Sequence, residues 1–227
     1  MHQALITGAS QGFGRALLGA LVARDWACVV DARDSTALNA ATADLPNVRA
    51  VPGDVADSVH RAALMTAAGE RLDLLVHNAS TLGPSPLLSL ATYPLDALRR
   101  VYEVDVIAPV ALTQLALPAL QRASAPTVVV LSSDAAVEAY PGWGGYGSAK
   151  AALDHLAAVL AVEHLDLRVY AFDPGDMRTA MHQAAFPGED ISDRADPATV
   201  VPALLRLLDE RPPSGRYRAA DLLATAR

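Results

Sequence analysis

Tyr146 and Lys150 stand four residues apart in Tyr146-Gly-Ser-Ala-Lys150, and Ser133 lies thirteen residues before the tyrosine. On a helix, residues i and i+4 share a face, so the ammonium can sit beneath the phenol. A free phenol, with a pKa of about 10, exchanges protons poorly at neutral pH. A fixed cation beside it stabilises the phenolate and draws that value toward the working range. Ser133 follows the apolar run Thr127-Val-Val-Val-Leu-Ser132, where its hydroxyl can bond a carbonyl or alcohol oxygen beside the phenol. These side chains are suited to passing a proton to or from a substrate oxygen. A hydride has to come from a cofactor, and the glycine-rich turn Thr7-Gly-Ala-Ser-Gln-Gly-Phe-Gly14 offers somewhere to hold one.

Short β-rich apolar runs alternate with longer helical patterns, which points to βαβ units on a parallel sheet with helices on both faces. Strands are expected near 2–6, 27–31, 48–51, 72–76, 127–132, 167–172 and 216–220. Helices are expected near 12–24, 36–43, 56–70, 94–121, 145–164 and 197–210. Right-handed crossovers then give an open, doubly wound α/β sheet of the Rossmann type. Gly8, Gly12 and Gly14 fall between the first strand and the first helix. There the backbone can approach a diphosphate, and the helix N-terminus favours its charge. One domain is expected over 1–227, with the Pro-rich stretches 83–86 and 211–215 as loops.

Composition narrows the classes. At 227 residues the chain can bury a sizeable core, and its 52% hydrophobic content, with a mean hydropathy of +0.23, is spread along its length. No uninterrupted apolar run approaches a membrane span, and the N-terminus lacks the pattern of a signal peptide, so a cytoplasmic location is expected. The net charge of −7 argues against binding a nucleic-acid backbone. The single cysteine, Cys28, excludes an intrachain disulfide and reads as a small core hydrophobe.

The glycine turn, Ser133 and the Tyr146–Lys150 pair occur in an order that resembles the short-chain dehydrogenase/reductase family, from Ala4 to about Thr179. The resemblance implies seven strands in the order 3-2-1-4-5-6-7 and an oxidoreductase that interconverts an alcohol and a carbonyl. Tyr146 would be the acid/base, Lys150 would lower its pKa and bind ribose, and Ser133 would orient the substrate oxygen. Ser132 fits this spacing less well. Ser10, Gln11 and Phe13 would line the phosphates and ribose, and Asp54 and Val55 the adenine. Asn78 and Ala79 follow the fourth strand. Pro174 and Gly175 would shape the loop beside the nicotinamide, where Thr179 would bond its amide or the diphosphate. The second strand ends Val30-Asp-Ala-Arg-Asp34. Aligned with the family, the NAD-selecting acidic position falls on Ala32, and Arg33 can pair with a 2′-phosphate, which favours NADP(H) over NAD. A one-residue slip would instead place the Asp31 carboxylate at the ribose.

Two positions depart from the family pattern. Asp105 stands where an asparagine is usual, a residue whose main-chain carbonyl helps a proton relay reach the lysine; a carboxylate keeps that carbonyl but adds a charge near Lys150. Ser80 replaces the last glycine of Asn-Asn-Ala-Gly, in a segment whose His77 reads as structural. These two support a contrasting reading, a catalytically weak dinucleotide-binding sensor or scaffold. Substrate choice is expected in the loops 81–86, 134–143 and 180–196, the last a mobile lid, with Tyr140, Trp143, Met177, Met181, His182 and Phe186 forming a mostly apolar wall. The apolar helices 94–121 and 145–164 correspond to those that pair subunits in the family, so a homodimer or homotetramer is expected. Neither a metal nor a nucleic-acid partner is expected, and the substrate is a small carbonyl compound or alcohol.

Overall fold

The computed structural model describes residues 1–224; the last three residues of the expected 1–227 domain lie outside the described residues. Strands β1 (Gln3–Ile6), β2 (Ala27–Ala32), β3 (Val48–Pro52), β4 (Leu74–His77), β5 (Thr127–Leu131), β6 (Arg168–Asp173) and β7 (Gly215–Arg218) form one sheet in the order 3-2-1-4-5-6-7. Every pairing is parallel. Helices α1 (Gly12–Val22), α2 (Ser35–Thr42) and α3 (Ser58–Ala68) follow the first three strands, and α4 (Leu95–Tyr102) and α5 (Ala108–Leu120) lie between β4 and β5. Beyond β5 come α6 (Gly144–Glu163), α7 (Ala180–Ala185), α8 (Pro197–Glu210) and α9 (Ala219–Ala224).

The central strands are mostly apolar because both faces are covered, with polar residues at their ends. Strand periodicity divides them between two cores. Ala4, Ile6, Cys28, Val30, Val129, Leu131, Tyr170 and Phe172 pack with α1 and α8. Leu5, Val29, Val128, Val130, Val169 and Ala171 face α3, α5 and α6 on the other side. Burial pushes the Cys28 thiol up to about 12, so it packs as the inert hydrophobe expected of it.

Three expectations need correction. The last strand stops at Arg218, and residues 219–220 begin α9 instead of extending the sheet. The segment 180–196 is no plain loop: it carries α7, capped by Thr179, and Met177 bridges to Ala195 to close its base. The helix expected over 94–121 contains a π turn, Glu103–Ile107. Pro109 has no N–H to offer the Asp105 carbonyl, so the α-helical bond at that step cannot form and the turn widens. By length and composition Leu95–Leu120 could cross a membrane, with a mean hydropathy of 1.4, but 56% of its apolar window is buried inside the fold. Its apolarity is that of a core helix.

Candidate active site

Open parallel sheets bind ligands beyond the C-terminal ends of their strands, where the order reverses. Here the strand order reverses between the paired β1 and β4, and a cavity of 530 Å³ opens beyond their ends. Its lining extends from Ala32, Arg33, Asp54 and Val55, past Gly8, Ser10, Gln11, Gly12 and Phe13, to Asn78, Ala79, Tyr146, Lys150, Pro174 and Thr179. Gly14, Asp105, Ser133 and Gly175 were expected there too, and they sit behind or beside this lining.

The glycine turn is shaped by close approach. Gly8 has φ +70°, and a Cβ there would lie 2.8 Å from Ala79 Cα. A Cβ on Gly14 would meet the Gly8 carbonyl at 2.5 Å and the Asn78 amide. Asn78 in turn donates from Nδ2 to the carbonyls of Thr7 (2.9 Å) and Gly8 (2.8 Å). The turn thus lies flat against the end of β4 and leaves its outer side open, a cradle of the kind a diphosphate requires. The residues present fit a dinucleotide.

Asp31 borders the cavity, but its carboxylate is engaged within the fold. Its side chain is 1% exposed, accepting from the Gly8 N–H at 2.7 Å and contacting His60 Nε2 at 3.0 Å. The carboxylate holds the glycine turn against α3. Arg33 is exposed at the edge of the cavity. Asp54 accepts from the Ala56 N–H at 2.9 Å and pairs with Arg100, while Asp57 caps α3. Burial raises the Asp54 carboxyl, but the Ala56 N–H and Arg100 outweigh it and leave it below its ordinary range.

At the other end, α6 places Tyr146 (8% exposed) and Lys150 (2% exposed) on one buried face. The ammonium lies 5.4 Å from the phenol ring centroid and donates to the Leu131 carbonyl at 2.8 Å. The expected lowering of the tyrosine pKa does not arise from the chain's own groups. Burial pushes the phenol above its ordinary value, the Asp105 carboxylate adds to this, and the hydrogen bond with Ser133 only partly opposes them. Burial likewise lowers Lys150, against the raising effect of Asp105 and Asp154.

Ser133 is the serine beside Tyr146. Ser132 instead donates to Asp154 at 2.6 Å. Asp105 is 1% exposed, and the π turn aims its carboxylate at the loop after β4. There it accepts from Ser80 Oγ at 2.8 Å and the Thr81 N–H at 2.9 Å. The two departures from the family pattern are therefore bonded to each other. His77 is fully structural: it contacts Thr113 Oγ1 at 2.8 Å, and burial lowers its pKa to about 3. Among the described residues no His, Cys, Asp or Glu cluster could hold a metal.

Sequence reading missed a support beneath the site. Arg216 on β7 bonds Asp154 Oδ2 (3.1 Å), Asp173 Oδ2 (2.8 Å) and the Ser133 carbonyl (2.9 Å). Asp154 could have been found, because it lies one turn beyond Lys150 on the face that carries Tyr146. Arg216 gave no signal in a strand 62 residues further on.

A doubly wound parallel sheet with a glycine turn at its switch point and a buried phenol–ammonium pair defines a dinucleotide-binding oxidoreductase. The short chain dehydrogenase family model matches residues 2–190, and the chain belongs to that family. It is 33% identical over 200 residues to sepiapterin reductase of Mus musculus, covering 80% of this chain and 76% of that one. L-xylulose reductase of Bos taurus is 32% identical over 224 residues, covering 92% and 90%. A short chain dehydrogenase of Escherichia coli complexed with NADPH superposes with a TM-score of 0.89 at 28% identity, over 96% of both chains.

Proposed function

We propose that this enzyme reduces a carbonyl compound to an alcohol with NADPH. The observation that carries the proposal is the pairing of two ends of one cavity: Tyr146 and Lys150 buried at one, Arg33 exposed at the other with Asp31 turned inward. Relatives named sepiapterin reductase and L-xylulose reductase, and a neighbour that binds NADPH, support the same direction. Gly8, Ser10, Gln11, Gly12, Phe13 and Gly14 would hold the diphosphate side. Arg33 would meet the 2′-phosphate, Asp54 and Val55 the adenine, and Asn78, Ala79, Pro174, Gly175 and Thr179 the nicotinamide end. A bound dihydronicotinamide supplies the hydride.

The chain supplies the proton and the orientation. Tyr146 and Ser133 hydrogen-bond the substrate oxygen, and Tyr146 gives up its proton as charge develops there. Lys150 holds the phenol from below and offers its ammonium to the ribose hydroxyls. Asp105 is a positioning residue that fixes the loop after β4. Assembly as a homodimer or homotetramer through α5 and α6 is supported by exposed Leu115, Leu156, Val159 and Val162. A cytoplasmic location completes the proposal.

The test is NADPH consumption against a panel of ketones, aldehydes, diketones and quinones. Titration should show NADPH bound more tightly than NADH, with Arg33→Ala weakening NADPH far more than NADH. Equal losses for both cofactors would remove Arg33 from selection.

A further inference from the structure

Three segments converge on the Tyr146 ring, and each brings apolar side chains against it. Leu82 comes from the loop after β4, Trp143 from the N-terminus of α6, and Met181 and Phe186 from α7 and its end; all cluster with Tyr146. The Trp143 ring stands edge-on to Tyr146 with centroids 5.7 Å apart, and Phe186 lies 6.0 Å from Trp143. Ser85 Oγ donates to the Ala184 carbonyl at 2.6 Å, tying the β4 loop to α7. The wall is thereby held in place across 99 residues of chain. Trp143, Met181 and Phe186 nevertheless remain partly open to solvent. Large aromatic faces gain most from burial, so a flat apolar group lying against them would be strongly favoured.

The rim beside Ser133 is acidic. Asp134 is exposed next to Ser133, and it accepts from Ser133 Oγ (2.9 Å) and from the Tyr140 hydroxyl (3.1 Å). Glu138 and Asp176 act on the same Tyr140 phenol. The positive groups nearby are already engaged. Arg194 pairs with Asp193 at 2.8 Å and faces Asp176 at 3.7 Å, and Arg178 pairs with Asp196. Arg216 reaches the Ser133 carbonyl from behind, shared between two aspartates. A carboxylate on the substrate would meet the Asp134 charge, which only neutral donors contact, beside the reacting oxygen, while the arginines around it are engaged with carboxylates and Lys150 with the Leu131 carbonyl.

From this wall and rim we infer that the substrate is an uncharged carbonyl compound bearing an aromatic group on or next to the carbonyl carbon. Trp143 and Phe186 would select the ring, and Asp134 would reject acids of the same skeleton. This rests on the reductase reading and narrows it.

The test compares 1-phenyl-1,2-propanedione, 2,3-butanedione and phenylglyoxylate as substrates with NADPH. Trp143→Ala should lower the kcat/KM ratio of the phenyl diketone over butanedione about tenfold, and Phe186→Leu should lower it less. Asp134→Asn keeps an acceptor for Ser133 but removes the charge. It should raise the ratio of phenylglyoxylate over the phenyl diketone about tenfold. Ratios unchanged by these substitutions would overturn the inference. A second readout needs no turnover. In a Trp26→Phe background Trp143 is the remaining tryptophan, and benzyl alcohol should quench its fluorescence at lower concentration than mandelate. Equal quenching by the two would again overturn it. Discriminating quenching without NADPH oxidation by any carbonyl would sink the reductase reading while upholding the pocket chemistry.

Discussion

Replacing Arg216 with methionine keeps an unbranched apolar stem but removes the guanidinium with its charge and five donors. The guanidinium is 26% exposed, whereas its partners Asp154 and Asp173 are only 14% and 5% exposed. Two carboxylates would then share a confined space without a cation. Removing one partner of a buried ion pair typically costs about 3–5 kcal/mol, and the partial exposure of Arg216 places this case near 3. For a chain of this length each kcal/mol shifts Tm by about 2–4 °C, so a fall of about 6–12 °C is expected in a thermal melt at pH 7. The loss should shrink on acidification. Burial already raises the Asp154 carboxyl above its ordinary value, against Ser132 and Arg216, and losing the arginine raises it further. A raised folded-state pKa means that the folded protein binds the proton more tightly than the unfolded chain. The penalty is therefore present at neutral pH and recedes as pH falls through the folded value. Melts at pH 7 and pH 5, with Asp154→Asn added to the variant, check this; the second substitution should recover part of the loss. A Tm change under 2 °C, or one equal at both pH values, would falsify the claim that Arg216 compensates buried charge. Because Arg216 also holds the Ser133 carbonyl, kcat should fall more than KM rises.

Tyr146→Phe should lower turnover about 10²–10⁴-fold, the usual contribution of a positioned acid/base, while cofactor titration stays near wild type. Since burial raises the phenol, reduction should keep its rate from pH 7 past pH 9 and decline only as the proton donor is lost at higher pH; a tyrosinate band near pH 8 in the wild type minus Tyr146→Phe absorbance difference would contradict this. Gly14→Ala should destabilise by about 1–3 kcal/mol and weaken dinucleotide binding, because its methyl must displace the Gly8 carbonyl or Asn78; an unchanged melt would show that the turn yields freely. Asp105→Asn keeps partners for the Thr81 N–H and Ser80 and should leave kcat within about threefold, whereas Asp105→Ala strands both groups at about 1–3 kcal/mol each. Equal melting of the two variants would mean that those bonds contribute nothing.

The sequence determined whatever is local. Alternating runs of apolar residues define strands buried on both faces, and the glycine spacing after β1 needs only the neighbouring backbone to be understood. Tyr146 and Lys150 share a face because a helix has 3.6 residues per turn. Through the family resemblance even the strand order was legible, and it matches the sheet. The tertiary structure decided what depends on residues distant in the chain. The Asp31 carboxylate bonds Gly8 and His60, 23 and 29 residues away, because the turn after β1 and the buried face of α3 bring them against it. Asp105 was visible as a departure, but its bond to Ser80, 25 residues away, comes from the packing of the π turn against the loop after β4. Arg216 reaches Asp154 and Ser133 from 62 and 83 residues along the chain. The tyrosine pKa shows the limit most plainly. Spacing supplies the cation that should lower it, but burial, set by every element packed around the phenol, moves it the other way.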